Sequence, residues 1–226
     1  MNIFVLDQNP YEAAQFHCDR HICKMILEYG QMLSTAHRLL DGTLQEWVVH
    51  NPDTNKPKRL RHWALPGEVC TPELQEMFFD EEDDDGLQTK ISKWVVKVTN
   101  QKCYRVAHAN HPCSVWTRAT DANYHWLFCL YDGALREYAS RYGKVHSAAR
   151  IADFLSKAPS RIKRGQLTPF ALAMPEEYKH DDPVQAYRRF YVGVKARFAK
   201  WKNSPVPDWF KYSMERQDAT NLARAA

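Results

Sequence analysis

"HCDRHICKMILEYGQMLSTAHR", His17 to Arg38, combines chemically able side chains with an unbroken apolar periodicity. From Ile22 onward, Met25, Ile26, Tyr29, Leu33 and Ala36 recur at intervals of three and four, which predicts a helix buried on one side. At about 100° per residue, His17, Lys24, Glu28 and Thr35 form a stripe beside that face, with His21 nearest the boundary. Three readings stay open for the polar residues. His17, Cys18 and His21 can be zinc ligands, the ionisable groups can serve acid/base chemistry or anion binding, or they can be satisfied structural polars. The chain has no CxxC pair, and "HPCSV" lacks the second cysteine of the deaminase zinc signature, so no metal ligand is assigned.

Outward from this segment, 226 residues suffice for one filled core, and no Pro/Gly/Ser linker divides them. A hydrophobic content of 44% excludes general disorder. No apolar run approaches the roughly twenty residues of a membrane span. The start, "MNIFVLDQNP", lacks the basic region and cleavage site of a secretory signal and reads as a short buried β-strand. With no export signal, the six cysteines are expected as free thiols, in a cytoplasmic protein. Net charge is +4, but the acidic run "DEEDDDG" (Asp80–Gly86) offsets basic clusters at Lys56–His62, Ser160–Gly165 and Lys195–Lys202. Such clusters suit a polyanion such as DNA, and equally an ordinary solvated surface.

The expected architecture is mainly α, one helical domain over residues 1–210 with a tail over 211–226 that is poorly ordered. Residues 41–87 carry Pro52, Pro57, Pro66 and Pro72 and read as a loop-rich insertion with one short helix near Pro72. Ile91, Trp94, Val95 and Val98 predict another helix. Pro112 marks a helix start whose free N–H groups around Cys113 and Ser114 suit an anion. Next, Asn123, Leu127, Leu130, Ala134, Glu137 and Arg141 share one stripe of a long helix, with Gly143 as its C′ residue. Asp182 and Pro183 open a final helix whose face runs from Val184 to Trp201. Trp116, Tyr124 and Trp126 can stack on a base, or fill the core.

The stretches "MNIFVLDQNPYEAAQFHCDRHICKMILEYGQMLSTAHR", "NHPCSVWTRATDANYHWL", "EYASRYGKVHS" and "TPFALAMPEEYK", followed by "AYRRFY" and "FAKW", together span nearly the whole chain. In this order they resemble the motifs of a phage family, the alpha-glutamyl/putrescinyl thymidine pyrophosphorylases of clade 2, which is similar to amino acid:DNA transferases of thymidine hypermodification. The resemblance implies a DNA glycosylase-like helical domain in the host bacterial cytoplasm, acting on DNA that contains modified uracil. A separate 5-hydroxymethyluracil DNA kinase would install a pyrophosphate, and this enzyme would replace it with an amino acid such as glycine, or with a polyamine. No cofactor is expected, although a divalent cation can bridge the diphosphate.

On that reading His17 or His21 is the base for the incoming ammonium, Asp19 orients it, and Lys24 meets the leaving diphosphate. Asn110, His111, Ser114 and Arg118 would contact diphosphate or uracil, with Trp116 stacking on the base. Glu28 and Gln31 join the substrate-binding set, as do Asn123, Arg141, Lys144 and His146, the last four toward DNA phosphate or an amino-acid carboxylate. Two other functions remain open: a pyrimidine-lesion glycosylase/lyase, and a non-catalytic DNA-binding protein.

Overall fold

A computed structural model describes residues 1–82 and 88–225, so the end of the acidic run Asp80–Gly86 lies outside the described residues. Helix α1 (Pro10–Gln15) leads into the 23-residue α2 (Asp19–Asp41), the helix foreseen from the apolar periodicity. Its inward positions include Ile22, Met25, Ile26, Tyr29, Leu33 and Ala36, all buried. After α3 (Pro112–Thr117), the 22-residue α4 (Asp121–Tyr142) packs across both α1 and α2. Thr120 caps α4 through its hydroxyl, and Gly143 ends it at φ +61°, a left-handed conformation that favours glycine.

Short α5 (Ala152–Leu155), α6 (Pro183–Phe190) and α7 (Asp208–Ala225) complete the helices. Asp182 caps α6 as its sequence indicates, accepting from the Val184 and Gln185 N–H groups. The helix does not continue regularly to Trp201. At Tyr191–Lys195 it widens into a π turn, where Gly193 lies so close to Tyr178 that a Cβ would collide with the ring. Helix α7 runs through the stretch read as a tail.

Three expectations are corrected. First, the N-terminal apolar run is buried but pairs as no strand. Ile3, Phe4, Val5 and Leu6 enter the core, with Phe4 at φ +33°, and the Asn2 side chain anchors the run to Ala173 O and the Tyr187 hydroxyl. Second, the loop-rich insertion is largely sheet: β1 (Thr43–His50) pairs antiparallel with β2 (Pro57–Ala64), and β3 (Val69–Glu82) with β4 (Gln88–Thr99). Pro72 therefore sits in a strand, and it is tolerated because each two-stranded sheet leaves an unpaired edge. Third, the segment around Ile91–Val98 is β4 and not a helix. Trp94, Val96 and Val98 alternate toward Val49 and Leu60 of the first hairpin, so the operative period is two.

Candidate functional site

The histidines at the start of the opening stretch, His17 just before α2 and His21 in its first turn, belong to the core. His17 is fully buried, its Nδ1 lying 2.7 Å from Ala13 O and its Nε2 2.6 Å from the Tyr29 hydroxyl. A neutral ring satisfies both contacts, with Nδ1–H donating to the carbonyl and Nε2 accepting from Tyr29. Burial lowers its pKa to about 4. His21 is packed against Phe4, ring centroids 4.5 Å apart, and edge-on to Tyr191 and Phe198. Burial, with the nearby His17 and Lys195, takes its pKa to about 2, and its Nδ1 is buried without a hydrogen-bond partner. Both nitrogens of His17 are engaged, and burial disfavours protonation of the His21 ring, so the structure does not support either as the catalytic base expected. Their ring centroids stand 6.3 Å apart, and both nitrogens of His17 are spent, which leaves no zinc chelate with Cys18.

Asp19 and Arg141 form a structural junction. The Arg141 guanidinium, 1% exposed, donates to Asp19 Oδ1 (3.2 Å), Glu137 Oε1 (2.6 Å) and Gln15 O (2.8 Å), joining α1, α2 and α4. Asp19 Oδ2 also accepts the Lys202 N–H. A guanidinium satisfied on these sides has little left for a phosphate or carboxylate, and Asp19, with its two oxygens on Arg141 and the Lys202 N–H, does not orient either histidine as expected. Asn123 is likewise spent: its amide donates to Trp116 O and the Thr168 hydroxyl and accepts the Thr168 N–H.

Trp116 stacks on Phe170 at 5.1 Å and is 5% exposed, with Trp126 edge-on to it; Tyr124 is buried too. These aromatics are core and offer no face to a base. Ser114 is buried, with its hydroxyl 3.4 Å from Met1 Sδ. The Cys113 N–H is already taken by His111 Nδ1 at 3.2 Å, so the start of α3 is not the open anion site its proline indicated. His146 caps the next turn through Nδ1 and reaches Cys23 O with Nε2, while Lys144 stays exposed beyond α4.

Of the expected site residues, those that stand together at the surface among the described residues lie around Lys24 and Glu28. Exposed Lys24 pairs with Glu28 at 3.3 Å, and the Met1 amino group meets the same carboxylate at 3.4 Å. Gln31 follows one turn later and is half-buried; at the next turn the Thr35 hydroxyl donates to Ala107 O and accepts the Ala107 N–H. That pairing lays residues 107–111 along the helix. Arg118 clamps the same loop by donating to Ala109 O at 2.7 Å, and Asn110 is exposed. His111, with Glu28 and the Met1 amine in its field, has its pKa lowered, chiefly by burial. Since Nδ1 accepts the cap hydrogen bond, the neutral ring carries its proton on Nε2 and is a donor there.

A second polar centre, built on Arg38, has no local signature in the sequence. The Arg38 guanidinium is fully buried and donates to both Glu68 oxygens (2.9 and 3.1 Å), to Trp63 O, Cys103 O and Tyr104 O, and to His62 Nε2. Burial alone would raise the Glu68 carboxyl, but the guanidinium and two backbone N–H groups hold it below its ordinary value. His62, Glu68 and Cys70 could converge on a metal ion by distance alone. The guanidinium already supplies the cation between His62 and Glu68, so the group does not fit a metal. Comparison with family models, with curated proteins and with solved structures found no match for this chain.

Proposed function

We propose that this chain is an amine:DNA transferase that displaces pyrophosphate from 5-pyrophosphoryloxymethyluracil in DNA. The supporting observation is that the stretches carrying the family resemblance pack on one another and leave an accessible polar cluster among the described residues. Asn2 meets Tyr187, the Cys18 N–H meets the Tyr191 hydroxyl, Asn123 meets Thr168, and the Trp201 indole meets Phe16 O. At the surface of this assembly stand Lys24, Glu28, Gln31, Asn110 and His111.

The chemistry needs three services, and these groups can divide them. The amine nitrogen attacks the exocyclic methylene carbon, the carbon–oxygen bond breaks, and diphosphate departs with the electron pair. Glu28, the carboxylate that pairs with Lys24 at this surface, holds the donor amine and takes its proton as the carbon–nitrogen bond forms. Lys24 neutralises the departing diphosphate, and the His111 Nε2–H donates to it. Exposed Lys58, Arg59, Lys163 and Arg164 supply positive surface for the DNA backbone.

Incubation with DNA bearing the pyrophosphorylated base and a mixture of amino acids and polyamines should release pyrophosphate, while unmodified DNA should release none. Free base or strand breaks in place of pyrophosphate release would favour glycosylase chemistry and overturn the proposal.

A further inference from the structure

A second site lies at the far end of α2. A cavity of about 670 Å³ opens between the last turn of that helix, the Leu65–Pro66 segment, Lys102 and the α5 region. The volume falls in the range of roughly 300–1,000 Å³ typical of small-molecule sites. Its lining divides into an apolar and a charged part. On one side are Leu65, Pro66 and the half-buried Phe154, whose ring packs against His37 at 4.6 Å, the two planes tilted by 43°. His37 is itself fixed, with Nε2 2.9 Å from the Tyr124 hydroxyl.

On the other side stand the exposed cations Lys102, Arg150 and Lys157. Among the described residues none of the three has a carboxylate partner within ion-pair distance; Arg150 instead lies over the Tyr104 ring at 5.3 Å. Two carboxylates share the lining. Asp41 is engaged by the Ser160 N–H (2.6 Å), the Ser160 hydroxyl (3.0 Å) and the Arg161 N–H (3.0 Å), which fixes the end of the loop that carries Lys157. Asp153 is exposed, and among the described residues its carboxylate has no hydrogen-bond or ion-pair partner.

We propose that this cavity binds a nucleoside phosphate, with the ring against Phe154 and Pro66, the phosphate among Lys102, Arg150 and Lys157, and a sugar hydroxyl on Asp153. A bare anion would leave the apolar wall unused, and an apolar ligand would leave three cations unneutralised. The same chemistry is offered by a free nucleotide and by a nucleotide within a single strand. Binding here does not require the chain to be a transferase.

Calorimetric titration of the full chain with thymidine 5′-monophosphate, a short thymidine oligonucleotide and inorganic phosphate separates these cases. The expected result is saturable binding of the nucleotide, the oligonucleotide or both, with inorganic phosphate at least about tenfold weaker. Saturation by the monophosphate identifies a free nucleotide, and saturation by the oligonucleotide alone a chain-borne one. Lys157→Ala and Arg150→Ala should each weaken binding about tenfold, as expected for loss of one charge-assisted hydrogen bond. Phe154→Leu, a conservative change at a half-buried position, should weaken the nucleotide but not inorganic phosphate. Absence of binding by both nucleotide probes would overturn the proposal. So would affinities unchanged in all three variants with wild-type circular dichroism, or inorganic phosphate binding as tightly as the nucleotide.

Discussion

Lowering the pH from about 7 to about 5 should remove much of this protein's stability, because His17, His21, His37 and His62 are all buried in the core. Burial is the leading cause of the depressed pKa in each ring, which falls from 6.5 to about 4 for His17, His37 and His62 and to about 2 for His21. Each folded value lies below the unfolded one. The neutral rings therefore favour the folded state fully above 6.5 and lose that contribution as the pH falls toward 4. Across this interval an unfolded histidine takes up nearly a proton while a buried one takes up little, a difference of about 2 kcal/mol per ring between pH 7 and pH 5. The three deeply buried rings His17, His21 and His37 give about 6 kcal/mol, with a smaller share from the more solvated His62, set against the roughly 5–15 kcal/mol that hold a domain folded. Glu68 and Asp41 have depressed values and lose their contributions only below the ordinary carboxylate range, so they do not obscure the window. Urea unfolding followed by circular dichroism at both pH values measures the difference. His37→Gln should reduce it by about one ring's share. Equal unfolding free energies at the two pH values would refute the neutral, buried state of these rings.

Arg38→Met should destabilise the fold by about 3–5 kcal/mol, since it strands the buried Glu68 carboxylate and removes the donors to three carbonyls; a loss under about 1 kcal/mol in chemical denaturation would show that water replaces the guanidinium. Glu28→Gln should raise the KM for the amine donor and lower turnover by about 10²-fold or more, the scale of general-base loss, which steady-state pyrophosphate release would measure. Lys24→Ala, at an exposed position, should slow diphosphate departure while leaving the affinity for unmodified DNA near wild type in a binding titration.

The parts of the fold legible in the sequence are those fixed by local chemistry. Helix α2 follows from apolar spacing, α4 from a stripe ending at Gly143, and α6 from the Asp182 cap, all signals contained within a few turns. The hairpins were hidden because Ile91, Trp94, Val95 and Val98 fit a helical spacing as well as a strand; the inward alternation at 94, 96 and 98 acquires meaning only from Val49 and Leu60 far away in sequence. The site divides in the same way. Lys24 and Glu28 were identifiable as polar residues beside an apolar face, whereas Gln31, Asn110 and His111 entered only through the family resemblance. The structural roles of His17 and Arg141 depend on Tyr29, twelve residues on, and on Asp19 and Gln15 more than a hundred residues back. Arg38 gave no warning, since nothing in its neighbourhood announces Glu68, thirty residues later.

The most direct test is mass spectrometry of nucleosides digested from DNA that carries 5-pyrophosphoryloxymethyluracil, after incubation with the purified protein and an amine donor. A transferase leaves a thymidine derivative heavier than thymidine by the donor less two hydrogens, with pyrophosphate released in equal amount. Recovery of the pyrophosphorylated nucleoside unchanged, or of an abasic sugar with free base, would contradict it.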